Sequence, residues 1–263
     1  FFSLVGTANH THEQGSAMPY DLGLGAIVWL GVACLVAGFV RGYSGFGFSA
    51  MLIAASSLVT NPLNFVAVVM LCEFAIIFQQ WTGIAHDVDW RRVLSLMAGA
   101  LVGVPLGLWA ITGIGLDAAR VVIALYVLGM CAIMLRGWRM ARLAGDRDHI
   151  AVGVMSGMAN APGMGGLPVA TFFAAQPMAA GAFRATLITY FAFLDLYTLP
   201  LMWGHGLVTQ DTFVVTLAAA PLILVGIWLG GRHFLRTDPQ DFRRFAIGLL
   251  AALAVLGLVK AVL

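Results

Sequence analysis

Two glycine-rich interruptions lie inside long apolar stretches: Arg41-Gly42-Tyr43-Ser44-Gly45-Phe46-Gly47 and Asn160-Ala161-Pro162-Gly163-Met164-Gly165-Gly166. Backbone at membrane depth must satisfy its own hydrogen bonds unless it lines a cavity buried in protein or filled with water. A helix restarting after such a break aims free N–H groups and the positive end of its dipole at that cavity. The chemistry this suits is reception of a small oxyanion. Gly45, Gly47, Gly163, Gly165 and Gly166 would let the anion approach the main chain, and Ser44 and Asn160 offer side-chain hydrogen bonds. Close helix packing through small residues is the alternative use of such glycines. Two breaks in corresponding places, one containing Asn-Ala-Pro-Gly, favour the binding site.

Ionisable residues near these breaks are few: Arg41, Glu73, Arg184 and Asp195. Such groups are costly within a bilayer and mark function by default. Arg184 opens the span after the second break, where it could pair with an anion or snorkel to the cytoplasmic interface. Arg41 has the same two uses and leans to topology or packing. Glu73 and Asp195 fall in mid-span, as proton acceptors for coupling or as members of a structural ion pair. Tyr190 and Gln79 are weaker candidates for the substrate route.

Other chemistries find no support in the residues. The six histidines form no metal-ligand pattern, and neither His-Glu-x-x-His nor Gly-x-Ser-x-Gly occurs. Ser44 has no mid-span histidine to serve as its base. Cys34, Cys72 and Cys131 sit in separate apolar segments and read as packing residues. No phosphate-binding loop or soluble domain suggests a nucleotide-driven pump. We therefore expect no catalytic residues, no metal and no cofactor.

The elements that must carry these residues follow from hydropathy. Of 263 residues, 61% are hydrophobic and only 10% charged, against roughly 25% charged in a soluble domain. Segments 93–116, 150–183 and 212–231 contain no Asp, Glu, Lys or Arg, and a spanning helix needs ~20 apolar residues. The pattern predicts an all-α polytopic membrane protein. A broken stretch over about 22–60 precedes spans at about 63–82, 92–111 and 118–136. A second broken stretch over about 150–176 precedes spans at about 180–203, 212–231 and 243–262. Residues 1–17 read as a polar N-terminal extension or remnant ahead of a native start at Met18. The net charge of +2 gives no reason to expect nucleic acid as a partner.

The order, a broken stretch and then three spans, occurs twice, as 18–136 and 150–263. Gly38, Gly42 and Pro62 match Gly153, Gly157 and Pro177 at one offset. Gly83, Gly103, Leu106 and Gly107 match Gly206, Gly226, Leu229 and Gly230 at a second, and Asp117 and Arg120 match Asp241 and Arg244 at a third. Cationic loops favour the cytoplasm. Arg91 and Arg92, the basic linker 137–149, and Arg232, Arg236, Arg243 and Arg244 share that side only if 150–176 enters and leaves on one side. The two repeats are then inverted, a transporter design.

The order of these motifs resembles the sulfite exporter TauE/SafE family of membrane anion permeases. The likeness rests on Gly38-Phe39-Val40-Arg41-Gly42-Tyr43-Ser44-Gly45-Phe46-Gly47-Phe48, on Gly153 through Gly157, and on Gly163-Met164-Gly165-Gly166-Leu167-Pro168. Phe183-Arg184-Ala185-Thr186 and the run from Pro221 to Gly230 extend it, so that it covers roughly 22–263. Ala55-Ser56-Ser57 departs from the family, which often has a proline there. The resemblance implies transport of sulfite, sulfonates or sulfoacetate-like anions across a bacterial-type plasma (inner) membrane. The residues themselves suggest alternating access with proton coupling through Glu73 or Asp195. Competing expectations are a membrane-embedded enzyme or scaffold, and a permease using the two carboxylates for a cation. Oligomeric state has no signature.

Overall fold

The computed structural model describes residues 19–44, 47–80, 85–137, 140, 144–234, 248, 251, 252 and 255. The helices are α1 (Leu24–Ser44), α2 (Phe48–Ser56), α3 (Pro62–Gln80), α4 (Trp90–Thr112), α5 (Leu116–Leu135), α6 (Asp146–Asn160), α7 (Gly166–Ala174), α8 (Ala180–Gly204) and α9 (Gln210–Phe234). No strand occurs among the described residues. Residues 1–17, Gly45, Gly83, Arg236, Arg243, Arg244 and nearly all of the expected span 243–262 lie outside them.

Local chemistry sets the helix ends. Pro62 occupies the first position of α3, where its missing N–H is no loss, and Asn61 Oδ1 accepts from Leu63 N at 3.0 Å. Asp89 caps α4 by accepting from Arg92 N at 3.2 Å. At the start of α6, Asp148 Oδ2 accepts from Gly145 N at 2.9 Å. Both breaks turn on a glycine in the left-handed region, Gly47 at φ 88° and Gly163 at φ 77°, where a Cβ would be strained. At the departure from the family pattern, α2 ends without proline. The Ser56 and Ser57 hydroxyls donate to Ile53 O and Ala54 O.

Each break folds its short helix back along the long one before it. Trp29 Nε1 donates to Ala55 O at 2.9 Å, joining the early part of α1 to the end of α2. The Tyr20 and Phe65 rings lie 5.9 Å apart, so α3 starts where α1 started. In the second half Met140 N donates to Ala175 O, just beyond α7, at 3.0 Å. The His149 ring, near the start of α6, stands 5.1 Å from that of Phe172 near the end of α7.

The two hairpins exchange partners: α1 packs along α9, and α6 packs along α4. Glycines make the approach possible. A Cβ on Gly38 would sit 2.6 Å from Ile223 O, and one on Gly42 would meet Ile227 O. Across the other contact, Gly99, Gly103 and Gly107 face the carbonyls of Ile150, Val154 and Met158, while Gly153 faces that of Leu96. Because contacts advance in the same direction on both members, each pair is parallel. Gly38 and Gly153, which match in sequence, thus perform the same task.

Among the described residues, five helices are long and apolar enough to cross a membrane: Leu24–Gly42, Trp90–Thr112, Asp117–Leu135, Gly181–Gly204 and Gln210–Arg232. Their outward surface is hydrocarbon, with Leu217 79% and Trp109 78% exposed. Water would not tolerate so continuous an apolar surface; a bilayer matches it.

Candidate functional site

The ends of the two long hairpin helices carry polar residues that meet the middles of α3 and α8. Arg41, in the last turn of α1, is buried, with Nη1 4.0 Å from Glu73 Oε1 of α3. Ser49 of α2 and Asp195 of α8 lie within interaction range of the Glu73 carboxyl. Asp195 also lies near Asn160, the last residue of α6. The Asn160 amide donates to Thr198 Oγ1 at 2.9 Å, and that hydroxyl donates onward to Leu194 O at 2.7 Å. Four helices and α2 therefore feed one chain of polar groups.

This chain is sealed and incompletely satisfied. Arg41, Asp195 and Glu73 are exposed by only 2%, 2% and 6%. Arg41 Nη2 and Asp195 Oδ2 have no hydrogen-bond partner, nor does the buried Thr189 hydroxyl. Buried polar groups are normally paired, and an unused guanidinium N–H in apolar surroundings is a receptor for an oxyanion. Two apolar cavities lie elsewhere. One of about 250 Å³ is lined by Leu30, Cys34, Phe65 and Ala219; one of about 450 Å³ by Ile123, Tyr126, Met158 and Pro162. Neither is lined by Arg41, Glu73 or Asp195.

A second, neutral set of contacts ties down the other break. Tyr190 OH donates to Ser156 Oγ at 2.8 Å, and Ser156 Oγ donates to Gly165 O at 2.6 Å. Tyr126 OH donates to Met164 O at 3.3 Å. A Cβ on Gly165 would lie 2.7 Å from Asn160 Oδ1, and one on Gly166 would lie 3.0 Å from Phe191 Cζ. Gly163 packs against Ile53 of α2, so the second break touches the first hairpin directly.

The structure gathers Glu73, Asp195, Asn160 and Gly165 into one cluster with Arg41, and sets Tyr190 beside it. Gly47 caps α2. Arg184 stands apart in the first turns of α8 with an exposed side chain. Gly45 and the side chains of Ser44 and Gln79 lie outside what is described. Arg41 outranks its sequence reading, and Ser49, Ser156 and Thr198 are additions. One signal was available for Ser156: the offset matching Gly38 to Gly153 also places Arg41 on Ser156. Among the described residues no three His, Cys, Asp or Glu come together to hold a metal. All three cysteines are buried thiols.

Comparison with known proteins agrees with this architecture. The family model described as "Sulfite exporter TauE/SafE" matches residues 30–256. A protein of Cupriavidus necator (strain H16) described as "Probable sulfite/organosulfonate exporter TauE" is 27% identical over 237 residues, covering 87% of this chain and 90% of that one. No solved structure matches significantly. With a match across most of its length, the chain belongs to the sulfite exporter TauE/SafE family, and is a membrane transporter rather than an enzyme.

Proposed function

We propose that this protein exports sulfite or a small organosulfonate across the plasma membrane by alternating access, with Arg41 receiving the anion between the two hairpin breaks. The observation that carries this reading is the buried Arg41 guanidinium with an unused N–H beside a half-occupied pairing to Glu73. A sulfonate or sulfite oxygen would complete it. The main chain at Gly47, Gly165 and Gly166 and the Asn160 amide would supply further donors, with Ser44 and Gly45 at the first break adding to them and Gly163 shaping the second turn. Arg184 would draw anions in from the exposed start of α8. The sulfur chemistry comes from the relative's description and from the family.

In this reading the halves 18–136 and 150–263 are inverted repeats, and linker 137–149 is cytoplasmic. Support comes from which helix starts meet. Tyr20 N, ahead of α1, donates to Asp211 of α9, whereas Arg91 of α4 pairs with Asp146 of α6 at 2.8 Å. Asp89 N, capping α4, donates to Thr186 in the early part of α8. Glu73 and Asp195 couple protons to the anion. A cation permease is disfavoured because Arg41 already holds the positive position beside both carboxyls.

Proteoliposomes loaded with labelled sulfite and methanesulfonate test the reading. Wild-type protein should release both, and Arg41→Ala should not. Release by Arg41→Ala at the wild-type rate would remove Arg41 from the site; the same result with Arg184→Ala would remove Arg184.

A further inference from the structure

The buried cluster contains one fixed cation, Arg41, and two carboxyl groups, Glu73 and Asp195. Two carboxylates against one guanidinium would leave a net negative charge in a setting closed to water. With Glu73 facing Arg41 at 4.0 Å and Asp195 sealed from water beside them, two ionised carboxyls would outnumber the single cation, so the pair holds one proton and one negative charge. With Arg41 always protonated, the empty cluster sums to zero. Neutrality is what a sealed, apolar setting enforces, because uncompensated buried charge is very costly.

A monoanion arriving at Arg41 upsets this sum. It takes over the guanidinium that faces Glu73 at 4.0 Å, leaving the carboxyl pair with an unbalanced negative charge. One additional proton restores zero, and the pair has room for only one. Asp195 Oδ2, now without a partner, gives that proton a place.

No other described group near the cluster competes for this role. On α8, Arg184 has an exposed side chain and Tyr190 keeps its proton to donate to Ser156. On α3 and α1, Cys72 and Cys34 are buried thiols, which such surroundings keep protonated. From α2 comes Ser49; from α6 come Ser156 and Asn160, with His149 far off at the opposite end of that helix; α7 brings no ionisable residue. On α9, Asp211 and Arg232 lie at the two ends.

We propose that Glu73 and the substrate compete for Arg41, so that each monoanion crosses with one proton and the transport cycle moves no net charge. The inference rests on the export reading above and adds to it the charge class of the substrate. A monoanionic sulfonate or hydrogensulfite is neutralised on binding; a dianion such as sulfoacetate leaves one charge uncompensated and is disfavoured. Export is then driven by the anion's own gradient and by pH, and the membrane potential contributes nothing.

The test uses the wild-type protein in sealed liposomes, with labelled methanesulfonate as the probe because its conjugate acid is too strong to leak across as a neutral molecule. A pH step of one unit should concentrate the label about tenfold on the alkaline side. A potassium diffusion potential of ~100 mV, worth up to ~50-fold for a bare anion, should leave the distribution unchanged. An internal pH dye should report proton movement together with the label. Accumulation that follows potential and ignores pH overturns the inference while leaving the export reading intact. Absence of any protein-dependent movement of methanesulfonate or sulfite overturns both. A Glu73→Gln/Asp195→Asn double variant that elutes as a single species should convert the carrier to potential-driven movement; continued dependence on pH in that variant overturns the charge count.

Discussion

The two hairpins use the same packing and different chemistry. Gly38 and Gly42 press α1 onto α9, as Gly153 and Gly157 press α6 onto α4. Where α1 meets α3 the contact is ionic, Arg41 to Glu73, whereas α6 meets α8 through hydroxyls, Ser156 to Tyr190. The scaffold is thus repeated while the buried cation sits on one side only. Repetition allows two hairpins to exchange places; asymmetry gives the substrate a single cation to settle on.

The sharpest way to break this contrast is Arg41→Ala. Removing one member of a buried pair leaves its partner uncompensated, which destabilises by about 3–5 kcal/mol. Thermal unfolding in detergent should show that loss together with abolished release of labelled anion. An unchanged midpoint would mean that Arg41 is not held as a buried charge.

The packing side of the comparison predicts equal effects in both halves. Gly38→Ala and Gly153→Ala each push a methyl into backbone and should cost about 1–3 kcal/mol by overpacking. Gly31→Ala is the control, since its Cβ would meet only Leu222 Cδ1 at an ordinary 3.6 Å. Relief of unfolded-chain freedom should make that change neutral or stabilising by up to about 1 kcal/mol. A large difference between Gly38→Ala and Gly153→Ala would deny the equivalence of the two contacts.

Tyr190→Phe sharpens the neutral side. One buried hydrogen bond is lost, about 0.5–1.5 kcal/mol, while Ser156 keeps its bond to Gly165 O. Unfolding should weaken modestly and the pH response of transport should stay as in the wild type. Smallest of all is Arg91→Ala: its pairing with Asp146 is exposed to water, and exposed ion pairs contribute little. Its unfolding midpoint should not move measurably.

Much of the fold was legible because hydrophobicity and glycine spacing write it directly. Segments expected at 92–111 and 180–203 are helices at 90–112 and 180–204, and the two breaks fall at Ser44–Phe48 and Asn160–Gly166. The site was less legible, for a physical reason. Whether an arginine beside a break snorkels outward or turns inward depends on which helix faces it, and one-dimensional spacing does not record that. Arg184 and Arg41 look alike in sequence; α3 puts Glu73 opposite Arg41, while Arg184 faces the surface. The Asn160–Thr198 bond was hidden likewise, since it joins α6 to α8 through packing alone.

The exchange of partners between hairpins also bears on how the chain is made. When α6 leaves the ribosome, α4 is already in the membrane to receive its glycine face. The first hairpin has no such luck: the face formed by Gly38 and Gly42 must wait for α9. At ~5–20 residues per second, that wait is on the order of ten seconds or more. During it a helix end carrying Arg41 stands in the bilayer without its final neighbour. Chains halted before α9 should therefore be the ones that quality-control proteases remove first, and lengthening the pause ahead of α9 should lower yield more than the same pause ahead of α6.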